Sequence, residues 1–191
     1  TDEISKPHLD NIYKKKEYNE LETKLNIEFT KILSNNPCNK IKLGNVIQRI
    51  KGGKTNSGDA TNTGEYPFYA AKASNPSGSH NNYDFDDEEY MLFAKSGGSQ
   101  KTIYGKSLGI GKFWFVTGKV AANVAMVQFK NNYEYCDNLY LKYYLEYRLF
   151  DIQKLTQYTT GNGNIQLPEF LENFTIDIPK DKLLIDKIKP I

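Results

Sequence analysis

Apolar and polar residues follow a helical rhythm at the start of the chain. From residue 9 to residue 33 a polar background carries Tyr18, Leu21, Leu25, Phe29 and Ile32 at three- and four-residue steps. That spacing places them on one face of a predicted helix. Asn35-Asn36-Pro37 ends it, because proline lacks a backbone donor and restricts the residue before it. Such a stripe needs a partner, either its own domain or a second helix in a coiled coil.

Beyond this break the rhythm shortens. Ile41 to Ile47 is apolar and β-branched and leads into Lys51-Gly52-Gly53-Lys54-Thr55. Short apolar or aromatic runs then predict strands at 68–71, 90–94, 102–104, 112–116 and 125–129. Residues 73–79 and Ser96-Gly97-Gly98-Ser99 are expected as turns or exposed connections. A continuous second helix is predicted over 139–155, with Leu141, Leu145, Leu149 and Ile152 in phase. Asp137 or Asn138 would cap its start and Gly161 its end. Gly161-Asn162-Gly163-Asn164 is expected to be too flexible for regular structure, Leu167-Pro168 to act as punctuation, 174–178 to form a strand, and 183–191 to begin another helix.

The 191 residues suit one ordinary core with a helical appendage. No apolar run reaches the roughly 18–20 residues of a membrane span, and no basic-then-apolar leader opens the chain, so a cytoplasmic protein without a membrane partner is expected. Because Thr1 is not methionine, the sequence reads as a piece of something longer. The net charge of +2 says little, but its distribution changes the picture. Asp84, Asp86, Asp87, Glu88 and Glu89 crowd together, and the next acid is Glu134. Between them lie Lys95, Lys101, Lys106, Lys112, Lys119 and Lys130, interleaved with Tyr104, Phe113, Trp114 and Phe115. Lysines among glycines and aromatics suit phosphate contact, since charge displaces counterions and small residues let backbone approach. The same residues also suit a solvated surface around a β core. Arg49 and Arg148 are the only arginines, so bidentate arginine contacts to guanine are scarce and Asn, Gln, Ser, Thr and Lys would have to read bases.

Enzymatic constellations are not evident. His8, His80, Cys38 and Cys136 are isolated, which offers neither a nucleophilic triad nor a zinc site and suggests two reduced thiols. Gly52-Gly53-Lys54-Thr55 ends like a phosphate-binding loop, but Gln48 stands where its first glycine belongs. Gly109-Ile110-Gly111 lacks the third glycine of a dinucleotide fingerprint. The acidic cluster is expected to form a solvated turn rather than a magnesium site. No cofactor, metal or catalytic residue is predicted.

The order of small motifs resembles one family. Leu43-Gly44-Asn45-Val46 before Lys51-Gly52-Gly53-Lys54-Thr55, then Tyr66-Pro67-Phe68-Tyr69, Ala121-Ala122-Asn123-Val124-Ala125, Leu139-Tyr140-Leu141-Lys142-Tyr143-Tyr144-Leu145, Gly161-Asn162-Gly163-Asn164-Ile165-Gln166 and Phe174-Thr175-Ile176-Asp177-Ile178-Pro179 run in the sequence of the target recognition domains of type I restriction-modification specificity subunits. Two departures are Lys180-Asp181-Lys182-Leu183-Leu184 in place of the family's Glu-Gln pair, and a final helix cut short at Ile191. The resemblance implies an α/β (mixed α+β) domain with a twisted mixed sheet and flanking helices, spanning 39–179, between a helical spacer over 1–38 and the start of a spacer helix over 180–191. It also implies a non-catalytic module that reads one half of a split double-stranded DNA site. Methyltransferase subunits, indirectly a restriction subunit, and a second recognition domain are the implied partners. The candidate DNA-contacting residues are Lys51, Lys54, Thr55, Asn56, Lys72, Lys95, Ser96, Gln100, Lys101, Tyr104, Lys112 and Asn164. Two alternatives stay open: a recognition domain of a single-chain restriction-methylation enzyme, and a protein- or carbohydrate-binding module using exposed Tyr and Trp.

Overall fold

The computed structural model describes residues 20, 23–24, 26–99, 109–158 and 162–188. By backbone proximity the chain divides into a unit of residues 1–39 and 177–191 and a larger unit of residues 40–176.

In the smaller unit, residues 26–35 are helical (α1). The expected stop is visible: Asn36 Nδ2 donates to the Ile32 carbonyl in the last turn of the helix. Phe29 of the stripe is fully buried and Ile32 partly so. Tyr18, Leu21 and Leu25 lie outside the described residues. A second helix, α5 (Lys182–Ile188), buries Ile185.

The larger unit is built on six strands: β2 (Ile47–Gly52), β3 (Tyr66–Tyr69), β4 (Ser79–His80), β5 (Phe85–Ala94), β7 (Phe113–Ala122) and β8 (Met126–Asn131). Their order is β2-β8-β5-β7-β3-β4. All neighbours are antiparallel except β3 beside β7, so the sheet is mixed. A three-stranded antiparallel ribbon, β6 (Ser96–Ser99), β10 (Asn162–Asn164) and β9 (Gln157–Tyr158), lies in the order β6-β10-β9. β1 (Cys38–Lys42) and β11 (Thr175–Pro179) form a third, two-stranded sheet.

Tyr90 to Ala94 are buried without interruption, as expected of a central strand covered on both faces. Tyr90, Leu92 and Ala94 join one apolar cluster with Phe85, Val116, Val120, Ala122 and Met126. On the opposite face Phe93 stacks on Phe170 at 5.2 Å between ring centroids and lies 4.6 Å from Phe113. Phe170 belongs to α4 (Leu167–Asn173), a helix where the sequence suggested only punctuation. Pro168 occupies its first turn, where a missing N–H costs nothing.

The sheet is strongly coiled. Ten extended residues span about 33 Å. Yet Asp84, just before β5, accepts from the Ala122 amide, and Lys95, just after it, donates to the Ala125 carbonyl. Three peptide units separate those partners by at most about 11 Å. The irregular pairing between Asp87 and Tyr90 is where β5 takes up extra twist.

Three other expectations change. The predicted single helix over 139–155 is two, α2 (Asn138–Tyr147) and α3 (Leu149–Lys154), broken at Arg148, and it closes at Leu155 rather than at Gly161. Ser96-Gly97-Gly98-Ser99 and Asn162-Gly163-Asn164 are strands, not free connections, because each completes the other's hydrogen bonding. Asp86, Asp87, Glu88 and Glu89 lie on β5 instead of a turn, and Asp87 pairs with Lys130 and Gln128. The predicted strand at 102–104 lies outside the described residues.

Candidate nucleic-acid interface

Glycine-rich connections meet at one side of the larger unit, and Asp84 ties down the first. Its carboxylate accepts from the Lys54 amide at 3.2 Å, the Thr55 hydroxyl at 2.8 Å and the Ala122 amide at 2.7 Å. The Thr55 amide donates to the Ala122 carbonyl, and Asn123 Nδ2 donates to the Ser57 hydroxyl at 2.6 Å. The 53–57 segment is therefore held against the β7–β8 connection. Gly53 is obligatory there, since a Cβ would lie 2.4 Å from the Ala122 and Asn123 carbonyl oxygens. Lys54 and Asn56 remain exposed.

A second group gathers on the other side of the same connection. The Lys95 amide donates to Ala125, and the Ile165 amide donates to the Lys95 carbonyl at 2.7 Å. Ser96 is paired across the ribbon with Asn164. Lys112 Nζ donates to the Ala73 carbonyl at 2.9 Å, beside Lys72. Val124, at the tip of the connection between the two groups, is 53% exposed.

Lys51 lies with its ammonium 5.3 Å from the centroid of the Phe85 ring, a cation–π contact. Lys119 lies 4.8 Å from the Tyr83 ring centre and 5.9 Å from that of Tyr66. The Glu65 carboxylate beside the Tyr66 hydroxyl, followed by partial desolvation, raises that phenol above its ordinary value. Asp87 is held below the usual carboxylate range chiefly by its bond from Lys130, with partial burial opposing and Gln128 assisting. Among the described residues no group of three or more His, Cys, Asp or Glu side chains is arranged to hold a metal ion. No helix among them is long and apolar enough to cross a membrane.

A family model described as the type I restriction modification DNA specificity domain matches residues 35–186. The chain belongs to this family. The specificity-domain fold is shared with solved structures at low identity. The S subunit of a type I restriction-modification system from M. genitalium has a TM-score of 0.63 at 16% identity, covering 82% of this chain and 38% of that one. The HsdS subunit from Thermoanaerobacter tengcongensis has a TM-score of 0.53 at 15% identity, over 95% of this chain and 46% of that one. A chain from a structural study of assembly and conformational transition in the type I R-M system has a TM-score of 0.51 at 12% identity, covering 94% and 47%. This chain thus spans less than half the length of each. No curated protein sequence matches it.

Within this specificity domain the structure brings together nine of the twelve candidate residues in one unit: Lys51, Lys54, Thr55, Asn56, Lys72, Lys95, Ser96, Lys112 and Asn164. Gln100, Lys101 and Tyr104 lie outside the described residues. Three candidates are already engaged, Thr55 with Asp84, Lys112 with Ala73 and Lys51 over the Phe85 ring. Sequence reasoning grouped Asp84 with the solvated acids and read Val124 only as part of the motif Ala121-Ala122-Asn123-Val124-Ala125. Only their places beside the connections distinguish them. Trp114, the aromatic that a sugar-binding module would expose, packs instead against the apolar cluster of the sheet.

Proposed function

We propose that this specificity domain reads one half of a split double-stranded DNA site and directs methyltransferase and nuclease subunits to it. The observation that carries this reading is the convergence of Lys54 and Asn56 with Lys72, Lys95, Ser96 and Asn164 on either side of the β7–β8 connection. Lysine supplies the sequence-independent attraction to phosphate, and the small polar side chains supply donors and acceptors for base edges. Rigid strands hold connections that follow a groove. The domain itself contributes recognition, and the chemistry belongs to its partners.

Selection from a randomised duplex library at two salt concentrations, with the methyltransferase subunits absent and then present, tests the proposal. A short enriched motif, bound more weakly at high salt, is the expected result. Lys72→Ala and Lys95→Ala should weaken binding to all sequences alike and each lower the salt slope by about 0.9. No enrichment under either condition would overturn it.

A further inference from the structure

The ribbon β6-β10-β9 has two unlike faces, set by alternation along β10 and β9, while the pairing of β6 shifts by one residue between Asn162 and Gly163. Gly163 is buried, and a Cβ there would meet Thr156 Cγ2 at 2.5 Å and Tyr158 Cε1 at 2.9 Å. Gly97, at φ +139°, lies opposite Gly163, and its Cβ would meet the Ala71 side chain at 2.8 Å. This face is therefore packed into the domain, and it accepts glycine alone at both positions.

The other face is made of hydrogen-bonding groups. Asn164 stands opposite Ser96 on one side and Gln157 on the other, giving a row Ser96–Asn164–Gln157 across three strands. Asn162 follows two residues before Asn164 on the same face, where alternation returns it. Gln157 and Asn162 are exposed, and Asn164 and Ser96 are partly exposed. Among the described residues none of the three amides has a side-chain hydrogen bond to another residue, whereas other amides, such as those of Asn75, Asn123 and Asn131, are tied into the fold. Adjacent strands lie about 4.8 Å apart, so the row is about 10 Å wide, within the roughly 12 Å of a major groove.

Resting on the DNA-reading proposal above, we propose that this amide face enters the major groove and that Gln157, Asn164 and Asn162 select adenine. A carboxamide donates to adenine N7 and accepts from its N6 amino group, a pair that no other base offers in the major groove. The row crosses the strands while Asn162 and Asn164 run along one, so the face addresses neighbouring base pairs. Gln157 and Asn162 then join the recognition set beside Asn164 and Ser96. Lys95, next to the ribbon, supplies a neighbouring phosphate contact.

The test is the same duplex selection, run on the full chain with its methyltransferase subunits, comparing wild type with Gln157→Ala, Asn164→Ala and Asn162→Ala. Each alanine variant is expected to lose preference at one adenine of the motif, by roughly 5- to 150-fold, with the salt slope unchanged. Gln157→Glu and Asn164→Asp should shift that position toward cytosine, whose N4 amino group donates to a carboxylate. A changed motif cannot arise from misfolding, which lowers all binding alike. If all five variants enrich the wild-type motif, the amide face does not read bases, although the domain still reads DNA. If wild type enriches no motif, the DNA-reading proposal fails and this inference with it.

Discussion

Asp84 shows how much one carboxylate does in this domain. Its two oxygens accept from the Lys54 amide, the Thr55 hydroxyl and the Ala122 amide, joining the end of β2, the start of β5 and the end of β7. Replacing it with alanine leaves those donors without their partner, and an unmade bond at a partly buried donor costs more than a made one contributes. Asp84→Ala is expected to lower stability by roughly 1–3 kcal/mol in chemical denaturation. It should also weaken DNA binding beyond that loss, because Lys54 and Asn56 are no longer held in place. Unchanged denaturation midpoint and affinity would show that the loop is held by its backbone bonds alone. At the same scale, Cys136 is buried, and desolvation followed by the Asp137 charge pushes its thiol up to about 12. At neutral pH it should resist alkylation in the native protein and react once denaturant is added. Rapid native alkylation of Cys136 would contradict its burial.

Among the elements, the interrupted helix carries the clearest test. Asp137 caps α2 by accepting from the Tyr140 amide at 2.9 Å, and Tyr140, Leu141, Tyr144 and Leu145 turn inward. Asp137→Ala should cost about 0.5–2 kcal/mol, with Asp137→Ser recovering most of it in thermal melts. Equal stability of all three would show the cap to be dispensable. The break at Arg148 was illegible in the sequence because Leu141, Leu145, Leu149 and Ile152 keep their phase across it. What interrupts the helix is one residue at φ −93°, ψ 9°. Its guanidinium donates to Asp151 at 2.8 Å and to the Tyr144 hydroxyl at 2.9 Å and lies 5.2 Å from the Phe174 ring centroid. Short polar strands escaped for a related reason. Nothing in Ser96-Gly97-Gly98-Ser99 or Asn162-Gly163-Asn164 announces a strand until the two segments meet.

At the scale of the whole molecule, acid should expose the paired carboxylates. Asp87 and Asp151 both sit below the ordinary carboxylate value, the first chiefly through Lys130 and the second chiefly through Arg148. A group whose folded-state pKa is depressed contributes stability above its unfolded value, near 4, and loses it as pH falls through the folded value. Stability is therefore expected to drop below about pH 4. Asp87→Asn and Asp151→Asn should each flatten part of that decline in urea titrations run across the acid range. An acid profile identical to wild type in both variants would show that neither pair is linked to folding.

The amino-acid sequence by itself determined the helix stop at Asn36-Pro37, the central strand 90–94, the α2 cap and the ordered motifs of the family, because each is a local pattern of burial or backbone chemistry. It also marked the lysines and small polar residues suited to DNA. Tertiary structure alone decided which of them share a surface. Ser96 and Asn164 are 68 positions apart and become neighbours only through ladder bonds, and Asp84 meets Ala122 through the antiparallel pairing of β5 with β7 and Thr55 through the segment that follows β2. It also decided which polar groups stay available: Thr55 is held by Asp84, whereas the amides of Gln157, Asn162 and Asn164 remain on an open face. Side-chain period and capping chemistry act over a few residues, whereas strand pairing joins segments that share no local signal.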